Sequence, residues 1–154
     1  MNIVITGHTS GIGKAIYELY GGIGLSRSNG FDITTSDITQ YIDKDSVFIN
    51  NAYTNKDPLS QVRLLHDSVE MCKQVICIGT NTRNVGKYQS AKNVLKQECE
   101  WLYGQGHNVT YLALGKVDTP HLKHYNGKMI SPEYVAQMIN FIITSPHRVE
   151  ILSI

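Results

Sequence analysis

The chain has 154 residues, of which 42% are hydrophobic and 18% are charged, and its formal net charge is +1. These values are typical of one globular domain with a buried core, and they exclude a disordered or fibrous chain. Without a run of lysines and arginines, the chain has no electrostatic surface for nucleic acid or a membrane, and no apolar run approaches the roughly 20 residues of a membrane span.

The N-terminal residues contain no basic and apolar leader, which favours a cytoplasmic protein. The three cysteines, Cys72, Cys77 and Cys99, are odd in number and fall on predicted helices and a strand, so we expect buried, reduced thiols. His121 and His124 have no cluster of cysteines or carboxylates beside them, so we expect no metal site.

A strand that runs into a glycine turn and a helix is predicted at the N-terminus. Apolar residues 2–5 precede Gly7, Gly11 and Gly13, which have no Cβ and let the backbone turn tightly and approach a ligand closely. The unpaired N–H groups and the dipole of the helix that follows favour a phosphate. Its face toward the sheet is predicted to contain Ile12, Ala15, Ile16, Leu19 and Tyr20. Dinucleotide-binding proteins have such a corner, although an ordinary glycine-rich loop has the same composition.

Strands and helices alternate along the rest of the chain, which predicts a parallel sheet with helices on both faces. Further strands are predicted at residues 23–26, 31–33, 47–50, 75–78, 109–114 and 149–154, for a total of about seven. Helices are predicted at residues 59–73 and 88–103 and from residue 131 onward, where Ser131 is a cap residue and Pro132 lies in the first turn. Residues 36–43 have room for one or two helical turns. The pattern predicts a single α/β domain over residues 1–154 with a doubly wound parallel sheet, a Rossmann fold.

Tyr88 and Lys92 are four residues apart on a predicted helix, so their side chains share one face. A nearby ammonium favours the phenolate, and at about 4 Å and an effective dielectric near 20 the interaction is roughly 4 kcal/mol. We expect this to lower the pKa of Tyr88 by up to about three pH units, as a general acid near neutrality requires. On an exposed helix the same spacing has no function.

Three motifs occur in a fixed order along the chain. T-G-x-x-x-G-x-G forms the first turn, Asn50-Asn51-Ala52 follows the fourth predicted strand, and Y-x-x-x-K lies on the helix after the fifth. Together they resemble the short-chain dehydrogenase/reductase family over nearly the whole chain. The chain would be an unusually short member of that family. The resemblance implies an NAD(P)-dependent oxidoreductase that transfers a hydride between nicotinamide and a carbonyl or alcohol substrate.

The resemblance also implies the catalytic residues. Tyr88 would donate and accept the proton, and Lys92 would lower the pKa of Tyr88 and hydrogen-bond the nicotinamide ribose. Thr80 follows the fifth predicted strand at the position of the family's serine, and its hydroxyl can donate to a carbonyl or satisfy backbone groups at the strand end. Tyr53 stands where the family has a glycine. The helix at 59–73 lacks the family's asparagine, and its Arg63 and His66 have no assigned role.

The cofactor contacts implied by the resemblance are Gly7, Gly11, Ile12, Gly13, Arg27, Asp32, Asn51, Ala52, Lys92 and Thr119. Asp32 would bind adenine, Asn51 and Ala52 would back the adenine ribose, and Thr119 would hold the carboxamide. Arg27 stands where an NAD enzyme has an acidic residue, and a guanidinium suits a 2′-phosphate. NADP is therefore predicted, with NAD as the alternative, and Arg27 could instead be a solvated surface cation.

Residues near 120–130 are predicted to form a short substrate lid. In the family, the helices corresponding to residues 59–73 and 88–103 pair with their copies, so a homodimer or homotetramer is expected. One alternative is a catalytically inactive NAD(P)-binding sensor or interaction protein of the same fold. Another is a sugar-nucleotide epimerase or reductase, which the three residues between Gly7 and Gly11 disfavour.

Overall fold

The computed structural model describes residues 1–81, 86–120 and 127–154. Its helices are α1 (Gly11–Tyr20), α2 (Ser60–Ser68), α3 (Lys87–Gly104) and α4 (Pro132–Thr144). Its strands are β1 (Asn2–Thr6), β2 (Ile23–Leu25), β3 (Ser46–Asn50), β4 (Gln74–Thr80), β5 (Val109–Leu114) and β6 (Ile151–Ser153). Single 3-10 turns occupy Arg27–Asn29 and Ile38–Gln40.

The strands form one parallel sheet in the order β2-β1-β3-β4-β5-β6. The chain runs outward from β1 to β2, crosses back to β3 and then continues in the opposite direction. The order therefore reverses between β1 and β3, where α/β proteins open a crevice at the carboxyl ends of the strands. The predicted doubly wound parallel sheet is confirmed, with six strands in the described residues.

Helices cover both faces of the sheet. On one face the buried residues of α1 and α4 are Ile16, Val135, Ala136, Ile139 and Ile142, packed with residues of β1, β3, β4 and β5. On the other face, the residues of α2 and α3 buried in the hydrophobic core are Leu64, Leu65, Leu95, Cys99 and Leu102. The central strands β3 and β5 are buried along their whole length, as parallel strands covered on both faces must be.

Residues 31–33 differ from the prediction, because they form a turn and not a third strand. The Oδ1 atom of Asp32 accepts hydrogen bonds from Thr34 N at 2.9 Å and Thr34 Oγ1 at 2.7 Å. The backbone oxygen of Asp32 also accepts from the N–H groups of Thr35 and Ser36. An aspartate that satisfies the backbone locally in this way competes with strand pairing.

The segment around this turn is tied to the sheet by Arg63. Its guanidinium donates to the carbonyl oxygens of Ile33 and Ser36, and it also pairs with Asp67 at 3.1 Å. Phe31 is buried against the same face. Arg63 thus has a structural role that the sequence did not indicate. It anchors the segment between β2 and β3, for which the sequence predicted no long helix.

Several element bounds were predicted correctly and others were not. Ser131 caps α4 by accepting from Tyr134 N at 3.1 Å, and Pro132 lies in the first turn, as predicted. By contrast, α2 ends at Ser68 and not at residue 73, since Met71 N and Cys72 N both donate to the Ser68 carbonyl in a turn. Leu19, predicted to face the sheet, is 55% exposed.

The predicted lid lies largely outside the described residues, which omit positions 121–126 and with them His121 and His124. The three cysteines are free thiols, with Cys77 and Cys99 buried and Cys72 partly buried. Among the helices of the described ranges, none combines the length and the apolar character needed to cross a membrane.

Candidate active site

A cleft of about 1380 Å³ opens at the carboxyl ends of β1, β3 and β4. It is larger than the roughly 300–1,000 Å³ of most small-molecule sites, so it can hold an extended ligand. The predicted site residues that line it are Gly7, Gly11, Ile12, Arg27, Asp32, Asn51, Ala52, Thr80, Tyr88, Lys92 and Thr119. Gly13 packs behind the cleft wall. The structure therefore brings the predicted catalytic and cofactor-binding residues to one place.

The glycine turn has the backbone that its sequence predicts. Gly7 and Gly11 have φ values of 75° and 55°, in the left-handed region that favours glycine. At Gly13 a Cβ would overlap the carbonyl oxygen of Gly7 and would lie 2.8 Å from Asn51 Nδ2. The absence of a side chain at Gly13 is what lets α1 pack directly against the turn.

Asn51 supports this turn from behind. Its Nδ2 donates to the Thr6 carbonyl oxygen at 3.0 Å, and its N–H and that of Ala52 both donate to Thr6 Oγ1 at 3.1 Å. The side chain of Asn51 is therefore used to join the ends of β3 and β1.

The start of α1 is open toward the cleft. Ser10 is the N-cap residue but its side chain makes no capping hydrogen bond within the described part of the chain. The first intrahelical bond runs from Lys14 N to Ser10 O, so the N–H groups of Gly11 and Ile12, which line the cleft, precede it. Such N–H groups at the positive end of a helix dipole bind phosphate. The turn and helix start fit a pyrophosphate group.

The end of the cleft near the Asp32 turn carries charges of both signs. Arg27 and Lys56 line it together with Asp32. Hydrogen bonds from the N–H and then the hydroxyl of Thr34 lower the pKa of Asp32, with smaller contributions from the charges of Arg27 and Lys56. Arg27 is exposed and has no salt bridge to any described residue. Its guanidinium is available to an anionic ligand group.

At the opposite end, Lys92 is buried with only 3% of its surface exposed. Its Nζ donates to Gln61 Oε1 at 2.5 Å and to the Ile78 carbonyl oxygen at 2.9 Å. It also lies 5.4 Å from the ring centroid of Tyr53 and 5.3 Å from that of Tyr88. Desolvation lowers the pKa of Lys92 to about 8, against a smaller opposing effect of Cys77 and Cys99.

The predicted lowering of the Tyr88 pKa is wrong for this structure. Burial against its surroundings, and then the neighbouring Tyr53, raise the pKa of Tyr88 above its ordinary value, even though 42% of the residue is exposed. The ammonium of Lys92 donates to Gln61 and Ile78 and lies beside the ring of Tyr88, and the lowering expected from it does not outweigh burial. Sequence spacing placed the two residues on one face but could not show where the charge points.

Thr80 lies at the cleft edge, where its Oγ1 donates to the Leu114 carbonyl oxygen at 3.3 Å. Its backbone N–H donates to the hydroxyl of Tyr111 at 3.0 Å. The same Tyr111 hydroxyl is 3.5 Å from the backbone oxygen of Lys92, and the Tyr111 ring occupies the space that a Cβ at Gly79 would need. Tyr111 therefore connects the backbones of Thr80 and Lys92 from beneath the cleft.

Three residues of this site were not predicted. Tyr53, singled out only as a departure from a family glycine, packs edge-on against Tyr88 with ring centroids 4.8 Å apart. Gln61 and Tyr111 contact Lys92 and Thr80 from other elements. No local signal could have found the last two, because each contact joins residues about thirty positions apart. Within the described ranges, no group of three histidine, cysteine or acidic residues could hold a metal ion.

The burial of Lys92 predicts a pH-dependent stability. Its pKa of about 8 in the folded protein is below the ordinary 10.5, so the unfolded chain binds more protons between these values and stability rises with pH. We expect the free energy of unfolding of the wild type, relative to Lys92→Met, to rise by about 3 kcal/mol over this range.

Urea unfolding of both proteins at a series of pH values measures this difference. Lys96→Met is the matched control, since Lys96 is exposed on the same helix. The difference in free energy of unfolding between wild type and Lys96→Met should not change with pH. The prediction would be contradicted if the difference between wild type and Lys92→Met did not change with pH either.

No family model matches the sequence, and no curated protein matches it. Solved structures do match. A small-chain dehydrogenase in complex with NADPH is 14% identical with a TM-score of 0.76, and the alignment covers 100% of this chain and 96% of that one. The 3-alpha-hydroxysteroid dehydrogenase from Pseudomonas sp. B-0831, complexed with NADH, is 16% identical with a TM-score of 0.77 and coverages of 100% and 95%.

The 3-ketoacyl-(acyl-carrier-protein) reductase from Brucella melitensis, complexed with NADH, is 15% identical with a TM-score of 0.74 and coverages of 99% and 95%. At these identities the similarity concerns the fold. The chain has the fold of the short-chain dehydrogenases, and the resemblance inferred from its sequence is confirmed at that level.

Proposed function

We propose that the chain is a member of the short-chain dehydrogenase/reductase family and acts as an NADP(H)-dependent oxidoreductase on a carbonyl or alcohol substrate. The observation that supports this most directly is the single cleft that joins the glycine turn to Tyr88, Lys92 and Thr80. Solved structures of the same fold are complexes with NADPH or NADH. A phosphate-binding helix start and a phenol in one cleft are the parts that such a reaction needs.

The residues that would hold the cofactor are the glycine turn at its pyrophosphate, Arg27 and Asp32 at its adenosine, and Lys92 and Thr119 at its nicotinamide end. When bound, the nicotinamide supplies or accepts the hydride. Tyr88 transfers the proton between its phenol oxygen and the substrate oxygen. Because burial raises the pKa of Tyr88, the phenol holds its proton at neutral pH but is a weaker acid than an ordinary tyrosine.

Thr80 and Lys92 orient and stabilise the groups around this proton transfer. An ammonium has three N–H donors, and two of those on Lys92 are taken by Gln61 and Ile78, so one is left for a ribose hydroxyl. The Thr80 hydroxyl, now bonded to Leu114, can turn to donate to the substrate oxygen. Proximity of these donors to a developing charge is what lowers the barrier.

A preference for NADP over NAD is supported by the cations Arg27 and Lys56 at the adenosine end of the cleft. We expect Arg27→Glu to weaken NADPH binding about 10- to 100-fold, the factor for a charge-assisted hydrogen bond of about 1.5–3 kcal/mol. NADH binding should change little, because NADH has no 2′-phosphate. Fluorescence titration of both cofactors measures the two affinities.

Lys44→Glu is the control for this prediction, since it makes the same charge change at an exposed position outside the cleft. If Arg27→Glu and Lys44→Glu weaken NADPH binding equally, the effect is one of net charge and the 2′-phosphate assignment fails.

The proposed function as a whole is tested with purified wild-type protein. We expect it to bind NADPH and to consume NADPH in the presence of at least one compound from a broad panel of aldehydes and ketones. Loss of NADPH absorbance reports turnover, and titration in the absence of substrate reports binding. Failure to bind NADPH or NADH would overturn the proposal.

The second candidate function is an NAD(P)-binding sensor or interaction protein without catalysis. It is favoured by the raised pKa of Tyr88 and by the ring of Tyr53, which packs against Tyr88 where the family has a glycine. Binding without turnover across the whole panel would support it. Assembly into a homodimer or homotetramer, implied by the resemblance, stays a prediction.

A further inference from the structure

Lys92 is an unusual charge for a buried position, because the described residues place no carboxylate within salt-bridge distance of its Nζ. The titratable groups that face it are Tyr53 from the segment after β3, Cys77 on β4, and Tyr88 and Cys99 on α3. The thiol of Cys99 and the phenol of Tyr88 have raised pKa values and are neutral at pH 7. The ammonium is therefore stabilised by neutral oxygen atoms.

Gln61 supplies the nearest of these oxygen atoms, and its own amide is fixed. Its Nε2 donates to the Asn50 carbonyl oxygen at 2.8 Å and to the Ile78 carbonyl oxygen at 3.3 Å, while its Oε1 accepts from Lys92. A flip of the amide would turn NH₂ toward the ammonium and oxygen toward two carbonyl oxygens, so only one orientation is satisfied. Gln61 is itself 3% exposed, so its amide is shielded from bulk water.

We propose that Gln61 is the positioning residue for Lys92: its side-chain oxygen fixes Nζ beneath the cleft and sets the pH range in which the lysine carries its charge. The amide joins α2 to three other elements. Gln61 lies in the first turn of α2, its Nε2 donates to carbonyl oxygens of β3 and β4, and its Oε1 accepts from Lys92 of α3. With Ile78 occupying a second donor of Nζ, the remaining N–H is directed away from both acceptors.

The inference rests on the proposed function only for what that remaining N–H binds. How Gln61 controls Lys92 is a property of the protein itself. It can be measured without cofactor or substrate, from the titration of Lys92 by NMR in protein with ¹³C-labelled lysine. Loss of one signal in Lys92→Met assigns the resonance.

Two substitutions should move this titration in opposite directions. In Gln61→Glu a carboxylate replaces the neutral acceptor, and we expect the pKa of Lys92 to rise by at least about one pH unit. In Gln61→Met a side chain of similar length removes the acceptor, and we expect a fall of at least about one pH unit. Gln97→Glu, which adds the same charge to an exposed position of α3, should leave the titration unchanged.

Gln61→Glu loses its bonds to Asn50 and Ile78, so thermal unfolding of the variants is measured as well. If one variant does not fold, the Lys92 titration in the other variant tests the proposal. A titration of Lys92 that moves in neither folded variant by more than in Gln97→Glu would overturn the proposal. If the titration moves but no carbonyl compound is reduced, the positioning role holds and the proposed function fails.

With turnover present, a second readout is the alkaline limb of the pH profile of kcat. It should shift to higher pH in Gln61→Glu and to lower pH in Gln61→Met. A purely structural role for Gln61 would lower kcat or stability without moving the limb, and that result would contradict the inference while leaving the oxidoreductase function intact.

Discussion

Replacing Tyr88 with phenylalanine is expected to lower kcat about 10²- to 10⁴-fold, the usual contribution of a general acid. The substitution keeps the ring that packs at 4.8 Å from that of Tyr53 and beside Lys92 Nζ, and it removes only the hydroxyl that would deliver the proton. Cofactor affinity should therefore be retained. Steady-state kinetics of NADPH oxidation and titration of NADPH binding measure the two effects separately.

Tyr53→Phe is the matched control, because it removes a phenol from the same aromatic pair. The Tyr53 hydroxyl donates to Asn55 Oδ1 at 3.0 Å. We expect its loss to change kcat within about fivefold, the factor for a neutral hydrogen bond of about 1 kcal/mol. The assignment of Tyr88 as the acid fails if Tyr88→Phe retains full turnover, or if Tyr53→Phe is the variant that loses it.

Gly13→Ala is expected to have the next largest effect, because it would disrupt the glycine turn proposed to bind the cofactor. A Cβ at this position would overlap the Gly7 carbonyl oxygen, and it would lie 2.7 Å from the Gly7 carbonyl carbon and 2.8 Å from Asn51 Nδ2. These neighbours are backbone and a hydrogen-bonded amide, so α1 or the turn must move. We expect the free energy of unfolding to fall by about 1–3 kcal/mol, the usual cost of overpacking.

The displaced turn should also weaken NADPH binding at least about tenfold, which corresponds to 1.4 kcal/mol. Gly104→Ala is the control, since a Cβ there meets no atom within 4 Å and its φ is not positive. Alanine favours a helix over glycine by up to about 1 kcal/mol, so this variant should be slightly stabilised and should bind NADPH normally. Unaltered binding and stability in Gly13→Ala would show that the turn tolerates a side chain.

The parts of the fold that the sequence predicted correctly are those set by local chemistry. The glycine turn follows from residues that adopt positive φ without steric cost, and the start of α4 follows from a serine cap and a proline in the first turn. Continuous apolar runs identified the central strands, because both faces of the sheet are covered. These signals lie within a few residues of one another, so the sequence displays them directly.

The failures concern features that depend on distant partners or on competition between local structures. Residues 31–33 have the composition of a short strand, yet Asp32 bonds to Thr34 and forms a turn in its place. Burial and Tyr53 raise the pKa of Tyr88, and the ammonium of Lys92 is bonded to Gln61, 31 residues away in the chain. No spacing rule reaches across such a distance.

The hydroxyl of Tyr111, which bonds the backbone of Thr80 and lies beside that of Lys92, has a mechanical consequence. Because this one hydroxyl contacts the backbones of both residues, a shift of α3 relative to β4 would have to break at least one of the two contacts. One side chain beneath the cleft can in this way help to keep α3 and β4 in register.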